Sequence, residues 1–305
     1  MKIAVIGKGG LVGSAIMRAW NALPMAGKID PPDELIGFDI PEFDASSRII
    51  TDGLVSIRPD VILNLASVNL PDWLESHPNT ARTIHVQGTV NLRHAAQKTG
   101  ALLVQLGCAE VFYTKTLGRA WHETDTPNPE SIYAKTKLDA ERAAAEYDRH
   151  LIVRTSALFG DPGVQGSGNL IDTLLKAVRR TRTIRVLDDM QVSLTFVDDL
   201  VGAIRALVRA GATGLYHVAA PEQVTPIEAA EFLLSRCGLN HHRLSGISTE
   251  EYGFRALRSR NTSLNSSRYH TILGTYPISG WQEAISRFLE VRIPQNAPLL
   301  PKRAS

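Results

Sequence analysis

Tyr133 and Lys137 stand four residues apart in the stretch Tyr133-Ala134-Lys135-Thr136-Lys137. On a helix, positions i and i+4 share one face, so a phenol and an ammonium project side by side. A phenol, with an ordinary pKa of about 10, is a poor proton carrier at neutral pH. A neighbouring ammonium favours the phenolate and brings the group towards a working range. The pair therefore suits acid–base chemistry at an oxygen atom.

A second set is Gly7-Lys8-Gly9-Gly10-Leu11-Val12-Gly13. Glycines at 7, 10 and 13 leave no Cβ where the chain turns and where a pyrophosphate must approach the backbone. The helix that follows offers free N–H groups to phosphates. The string follows a predicted strand and opens a helix, the context that a dinucleotide site requires. Asp39 ends the second predicted strand, somewhat beyond the ~20-residue spacing usual for such an acid. Its carboxylate can accept from the adenosine ribose hydroxyls and repels a 2′-phosphate, which favours NAD; the cation of Lys8 leaves NADP open. An oxidised nicotinamide would add to the pull of Lys137 on the Tyr133 phenol.

These groups need elements to hold them. Residues 2–7, 34–39, 61–66, 102–106 and 151–153 read as short apolar strands. Residues 11–20 read as a helix with Ile16 and Trp20 on one face. Residues 80–98 read as a single helix with Ile84, Val90, Leu92 and Ala95 towards the core, and 131–147 as a long helix with an Ala-rich end. Pro59 ends the helix before the third strand. This alternation of helices with nearly all-apolar strands predicts an α/β protein, its parallel sheet covered on both faces. After about residue 160 come a Gly-rich loop at 161–168, mixed short elements, a Ser/Arg-rich stretch at 255–267 and a final helix near 281–289. The expectation is a cofactor-binding domain at 1–160 with later segments returning to it, a smaller substrate lobe at 161–292, and a loose Pro-rich tail at 293–305.

Composition narrows the function. The 305 residues allow about two domains at roughly 150 residues each. A formal charge of +2, with no basic stripe, argues against a nucleic-acid partner. The two cysteines, Cys108 and Cys237, are too few and too far apart for a disulfide framework, which fits the cytoplasm. No apolar run has the length of a membrane span, and the N-terminal segment enters a strand directly, without a signal-peptide pattern. His241 and His242, as i and i+1 neighbours, do not converge on one ion, and no metal is expected. A homodimer is the default assembly.

With these motifs in order, the sequence resembles the extended short-chain dehydrogenases/reductases, and within them the dTDP-4-dehydrorhamnose reductase family, over nearly its whole length. Besides the Gly motif and Tyr133–Glu141, the resemblance runs through Arg58-Pro59-Asp60-Val61-Ile62-Leu63-Asn64, Asp72-Trp73-Leu74-Glu75-Ser76, Trp121-His122-Glu123-Thr124-Asp125, Arg154-Thr155-Ser156 and Arg258-Ser259-Arg260-Asn261. It implies a Rossmann-like doubly wound sheet with a smaller C-terminal lobe, and NAD(P)H-dependent reduction of a nucleotide-linked keto-sugar. By that resemblance Gly7, Gly10, Leu11, Val12, Gly13, Asp39, Ile40, Asp44, Ala45, Asn64, Leu65 and Ala66 would surround the cofactor. Lys137 would hold the nicotinamide ribose. Tyr133 would give the carbonyl oxygen its proton. Asn169, Arg258 and Asn261 would face the sugar nucleotide.

The chain departs from the family at instructive positions. Cys108 stands where a Ser or Thr hydroxyl normally bonds the substrate carbonyl, and a thiol is a weak donor. His85 stands where Asn is usual. Glu110-Val111-Phe112 resembles the Thr-x-Glu-Val-Tyr pattern of sugar-nucleotide dehydratases and decarboxylases. Two alternatives follow: an epimerase, dehydratase or decarboxylase with recycled NAD and Glu110 as acid–base group, and a non-catalytic NAD(P)-binding regulatory subunit.

Overall fold

The computed structural model describes residues 1–22, 31–40, 44–47, 49–161, 169–239, 243–274 and 278–292. The tail 293–305, most of the Gly-rich loop and the His241-His242 pair lie outside the described residues. The first half runs β1 (Lys2–Ile6), α1 (Leu11–Ala19), β2 (Glu34–Phe38), α2 (Ile49–Ile57), β3 (Val61–Asn64), α3 (Pro71–Leu74), α4 (Pro78–Ala81), α5 (Gly88–Thr99) and β4 (Leu102–Cys108). Next come α6 (Ile132–Ala145), β5 (His150–Thr155), β6 (Leu158–Phe159), α7 (Leu170–Ala177), β7 (Thr183–Leu187), β8 (Thr195–Phe196) and α8 (Val197–Arg209). The chain closes with β9 (Gly214–His217), α9 (Pro226–Arg236), β10 (Arg243–Ile247), α10 (Thr249–Tyr252), α11 (Ser267–Leu273) and α12 (Trp281–Arg292).

Six strands pair in parallel in the order β2-β1-β3-β4-β5-β9. β9 therefore returns to the main sheet from the second half of the chain. Alternate residues of β1 feed two cores, because strand side chains alternate faces. Ile3 and Val5 join Ile16, Trp20 and Leu200 of one core. Ala4 and Ile6 join Ile62, Leu92 and Leu103 of the other. Both faces being covered, the strands are largely apolar, with Asn64, Gln105 and Arg154 as buried exceptions near their C-terminal ends. Chain order reverses between β1 and β3, and the crevice beyond their C-terminal ends is where such sheets take ligands. Among the described residues no helix is long and apolar enough to cross a membrane.

The predicted single helix at 80–98 is interrupted. Arg82–Gln87 forms a π-helical stretch between α4 and α5. Its wider turn rotates the buried face, so His85, Thr89 and Asn91 are buried while Ile84 and Val90 are only half-buried. Leu92 and Ala95 keep their core places. The polar groups turned inward find partners, as buried polar groups must. Asn91 Nδ2 donates to the carbonyls of Ala45 and Ser46, both at 3.0 Å. β4 runs two residues further than predicted and carries Cys108 at its end. β3 stops at Asn64, leaving Leu65, Ala66 and Ser67 in the loop beyond it. α2 closes on Arg58, which takes a left-handed φ of 49° before Pro59.

Trp20 caps the C-terminal end of α1, is fully buried, and donates from Nε1 to Asp33 Oδ2 at 2.8 Å. Trp20→Ala removes that bond and opens a cavity. The expected loss is about 3–5 kcal/mol of unfolding free energy, read as a lower urea midpoint at unchanged slope.

Candidate active site

The turn after β1 is built for close approach. Gly7 has a φ of 89°. A Cβ there would sit 3.0 Å from Ala66 N and 3.1 Å from Leu65 C, so the loop after β3 packs directly on this glycine. A Cβ on Gly13 would lie 2.1 Å from Gly7 O, a backbone atom that cannot move aside cheaply. Gly10 is the N-cap of α1 and provides no side-chain cap. The first N–H groups of the helix, from Leu11 and Val12 onward, are thus left to a ligand, with the positive end of the helix dipole behind them. This cradle fits the pyrophosphate of a dinucleotide.

Asp39 follows β2 and accepts from Gly9 N at 2.7 Å and from Ile40 N at 3.0 Å. It braces the Gly loop, a role that spacing alone does not reveal. Ile40 is 64% exposed at the rim. Asp44 Oδ1 closes its own turn onto the N–H and hydroxyl of Ser46, each at 2.8 Å. Ala45 is buried under Gly88 of α5. Asn64 turns its Nδ2 inward to Thr89 Oγ1 (3.0 Å) and Gln105 Oε1 (2.7 Å), while its Oδ1 is buried without a partner.

The reacting groups converge beyond β4. Cys108 ends the strand and Glu110 sits in the 3-10 turn Ala109–Val111. Opposite them, α6 starts from a Ser131 cap that accepts from Ala134 N at 3.2 Å, and Glu75 Oε1 accepts from Ile132 N at 2.8 Å. Tyr133 is buried with Leu74 and Ala81. Cys108 and Ser67 are its polar neighbours, the thiol raising the phenol's pKa and the Ser67 hydroxyl lowering it. Burial, followed by the Cys108 and Glu110 charges, raises the Tyr133 phenol well above its ordinary value. The expected downward pull of Lys137 is not among the influences on the phenol; the opposing one is Ser67. Burial likewise pushes the Cys108 thiol up to about 12 and raises Glu110, the latter opposed by the Arg258 guanidinium.

Lys137 is 4% exposed and donates from Nζ to Leu106 O at 2.6 Å. Burial lowers its pKa, and the charges of Cys108 and Glu141 oppose that. Glu141, one turn further along α6, is gripped by Arg154 of β5: Nε reaches Oε2 at 3.0 Å and Nη2 reaches Oε2 at 2.7 Å. Gly107 leaves room for this pair, since a Cβ there would fall 2.3 Å from Glu141 Oε1. No local pattern marks Gly107 or Arg154 for this role, and Glu141 is marked only as the end of the Tyr133–Glu141 stretch.

The residues expected to face a substrate are differently placed. Arg258 Nη2 meets Asp72 Oδ1 at 3.3 Å, lies over the Phe254 ring at 4.8 Å, and acts on Glu110. Asn169 caps α7, accepting from Asp172 N and donating to Gly160 O, both at 3.0 Å. Asn261 holds its own loop through Arg119 O at 2.8 Å and Ser263 N at 3.0 Å. Both amides are engaged in the fold. Among the described residues no cluster of His, Cys, Asp and Glu is placed to hold a metal ion.

A parallel sheet with a Gly-rich cradle at its switch point, and a Tyr-x-x-x-Lys helix beside the end of β4, define an extended short-chain dehydrogenase/reductase. The comparisons narrow this further. The family model described as RmlD substrate binding domain matches residues 1–292, and the chain belongs to that family. The dTDP-4-dehydrorhamnose reductase of Escherichia coli is 28% identical, the match covering 95% of this chain and 97% of that one. Among solved structures, the dTDP-4-dehydrorhamnose reductase of Clostridium acetobutylicum superposes with a TM-score of 0.86 at 23% identity, covering 96% of this chain and 99% of its own. That of Bacillus anthracis, solved in complex with NADP, gives 0.84 at 25% identity, covering 94% and 98%.

Gly13→Ala tests the cradle. Because the new Cβ meets backbone, NADPH affinity is expected to fall by roughly tenfold or more, ~1.4 kcal/mol, in a fluorescence titration. Unchanged affinity would mean that the dinucleotide does not lie on this turn.

Proposed function

We propose that this chain reduces the keto group of a dTDP-linked 4-keto-6-deoxy sugar with NAD(P)H, the reaction that the names of its curated relatives describe. The observation that carries the reading is a buried Tyr133 on α6, one helical turn before Lys137 and close to Cys108 at the end of β4. The substrate class rests on family membership and on those relatives. A bound nicotinamide would supply the hydride. Gly10, Leu11, Val12 and Gly13 would hold its pyrophosphate.

Tyr133 acts as the proton donor. Reduction of a carbonyl needs an acid that is still protonated when the oxygen becomes basic, and burial keeps the phenol in that form at neutral pH. Lys137 has three N–H donors, of which Leu106 O takes one. The others remain for a ribose hydroxyl and for the phenolate left after proton transfer. Cys108 remains a thiol and contributes a weak hydrogen bond where a hydroxyl would contribute a stronger one. Arg258, at the Glu110 side of the site, would pair with the nucleotide diphosphate.

For the coenzyme, Asp39 favours NADH, since a carboxylate at the tip of β2 repels a 2′-phosphate. The NADP complex of the Bacillus anthracis relative supports acceptance of NADPH as well. Lys8, whose stem lies along Gly37, is the nearby cation.

One observation favours a second reading. Glu110 is half-buried, is raised by desolvation, and acts on both Tyr133 and Cys108. As a base it would take a proton from the carbon next to the carbonyl, giving an epimerase or dehydratase with recycled NAD. Tightly retained NAD+ in the purified protein favours that reading, exchangeable NAD(P)H the reductase. The intact Tyr133–Lys137 pair argues against the non-catalytic alternative.

Tyr133→Phe is expected to lower kcat for keto-sugar-dependent NAD(P)H oxidation by about 10²–10⁴-fold, with coenzyme affinity retained. Cys108→Ser is expected to raise kcat, because the hydroxyl is the better donor. Undiminished turnover in Tyr133→Phe contradicts the mechanism.

A further inference from the structure

His85 belongs to no motif that the proposed reaction uses, yet it is 2% exposed and lies in the π-helical stretch. Such stretches often mark functional sites. We infer that His85 is a positioning residue that holds the Ser67 hydroxyl against the phenol of Tyr133, and through it supports the proton transfer that Tyr133 makes. This rests on the reductase reading.

The hydrogen bonds settle the orientation of the imidazole. Thr136 Oγ1 lies 2.9 Å from Ile132 O and 3.1 Å from Tyr133 O, carbonyls that take its one hydrogen. It can then only accept from His85 Nδ1, at 2.8 Å, so Nδ1 carries the proton. Nε2 is the acceptor, consistent with the Val68 N–H that points to it at 3.3 Å. Ser67 Oγ, 3.0 Å from Nε2, therefore donates to the ring, and it neighbours the Tyr133 hydroxyl, whose phenolate form it favours. The ring also packs edge-on against Tyr133, with centroids 5.7 Å apart and planes at 84°. His85 thus ties the loop after β3 to α6 at the level of the reacting phenol.

This arrangement has a chemical use. When Tyr133 gives its proton to the substrate oxygen, the phenolate needs a hydrogen-bond donor. Cys108 is a poor one. The Ser67 O–H, released from Nε2, can rotate to the phenolate, and no proton leaves Ser67. The other titratable groups that act on the phenol are Cys108 and Glu110 from the end of β4, while Lys137 on α6 acts on His85. Burial, reinforced by Lys137, draws His85 down to about 3, so it stays neutral and adds no second cation beside Lys137.

His85→Phe keeps the ring and its edge contact but removes both nitrogens. It is expected to lower kcat about tenfold, roughly the worth of one hydrogen bond, with KM for coenzyme and keto-sugar unchanged. Ser67→Ala should do the same, and the double variant should be no slower than either single one. His85→Gln, with an amide oxygen able to accept from Ser67 and Val68, should recover most of the rate. Losses that multiply in the double variant, or a His85→Phe effect confined to KM or Tm, would overturn the inference. A second readout needs no turnover. The ¹³Cζ resonance of Tyr133, assigned by its loss in Tyr133→Phe, should shift in both His85→Phe and Ser67→Ala. A resonance that stays put rejects the coupling; one that shifts in a protein without ketoreductase activity rejects the proposed reaction and keeps the coupling.

Discussion

Lys137 carries an ammonium into the interior, and much of the surrounding structure follows from keeping it there. An isolated buried charge costs several kcal/mol, so it must find acceptors and a counter-charge. The acceptor is the Leu106 carbonyl at the end of β4. The counter-charge is Glu141, one helical turn along, held by the Arg154 guanidinium from β5. Gly107 has no side chain because that ion pair occupies the space. Burial keeps His85 neutral, and the charge of Lys137 reinforces this. A buried pair of this kind adds little net stability. Its value here is that one helix and two adjacent strands hold the amine, the phenol and the thiol in fixed relation.

The two ends of the site rest on different physics. At the cradle, the absence of side chains does the work: Gly7 and Gly13 let backbone touch backbone, and Gly10 leaves the start of α1 uncapped. Asp39 braces that loop through Gly9, so the residue that would choose between coenzymes also shapes the turn beneath them. At the catalytic end burial dominates. It keeps Tyr133, Cys108 and His85 in their neutral forms and leaves Lys137 and Arg154 as the nearby cations.

Glycine spacing and the Tyr133–Lys137 interval were legible in the sequence because each is a local pattern, whereas the acid after β2 was legible as a position but not as the brace of the Gly loop. The parallel sheet was legible for the same reason, from short apolar strands alternating with helices. What escaped depends on tertiary register. The π-helical stretch adds width to one turn and moves the buried face from Ile84 and Val90 to His85 and Thr89. The partnership of Glu141 with Arg154 joins a helix to the next strand, and nothing in either segment announces it. The family resemblance turns Asn169 and Asn261 towards a substrate, and in the fold a helix cap and a loop engage their amides.

The central claim is that a buried, protonated phenol delivers the proton in a hydride reduction. The most direct test is the pH dependence of kcat for NAD(P)H oxidation driven by a nucleotide-linked keto-sugar. Because Tyr133 is raised and is needed in its acid form, the rate should hold level through the neutral range and fall only as the pH climbs past the phenol's own alkaline pKa. Absence of turnover, or a rate that already fades as the pH rises through neutrality, would contradict the account.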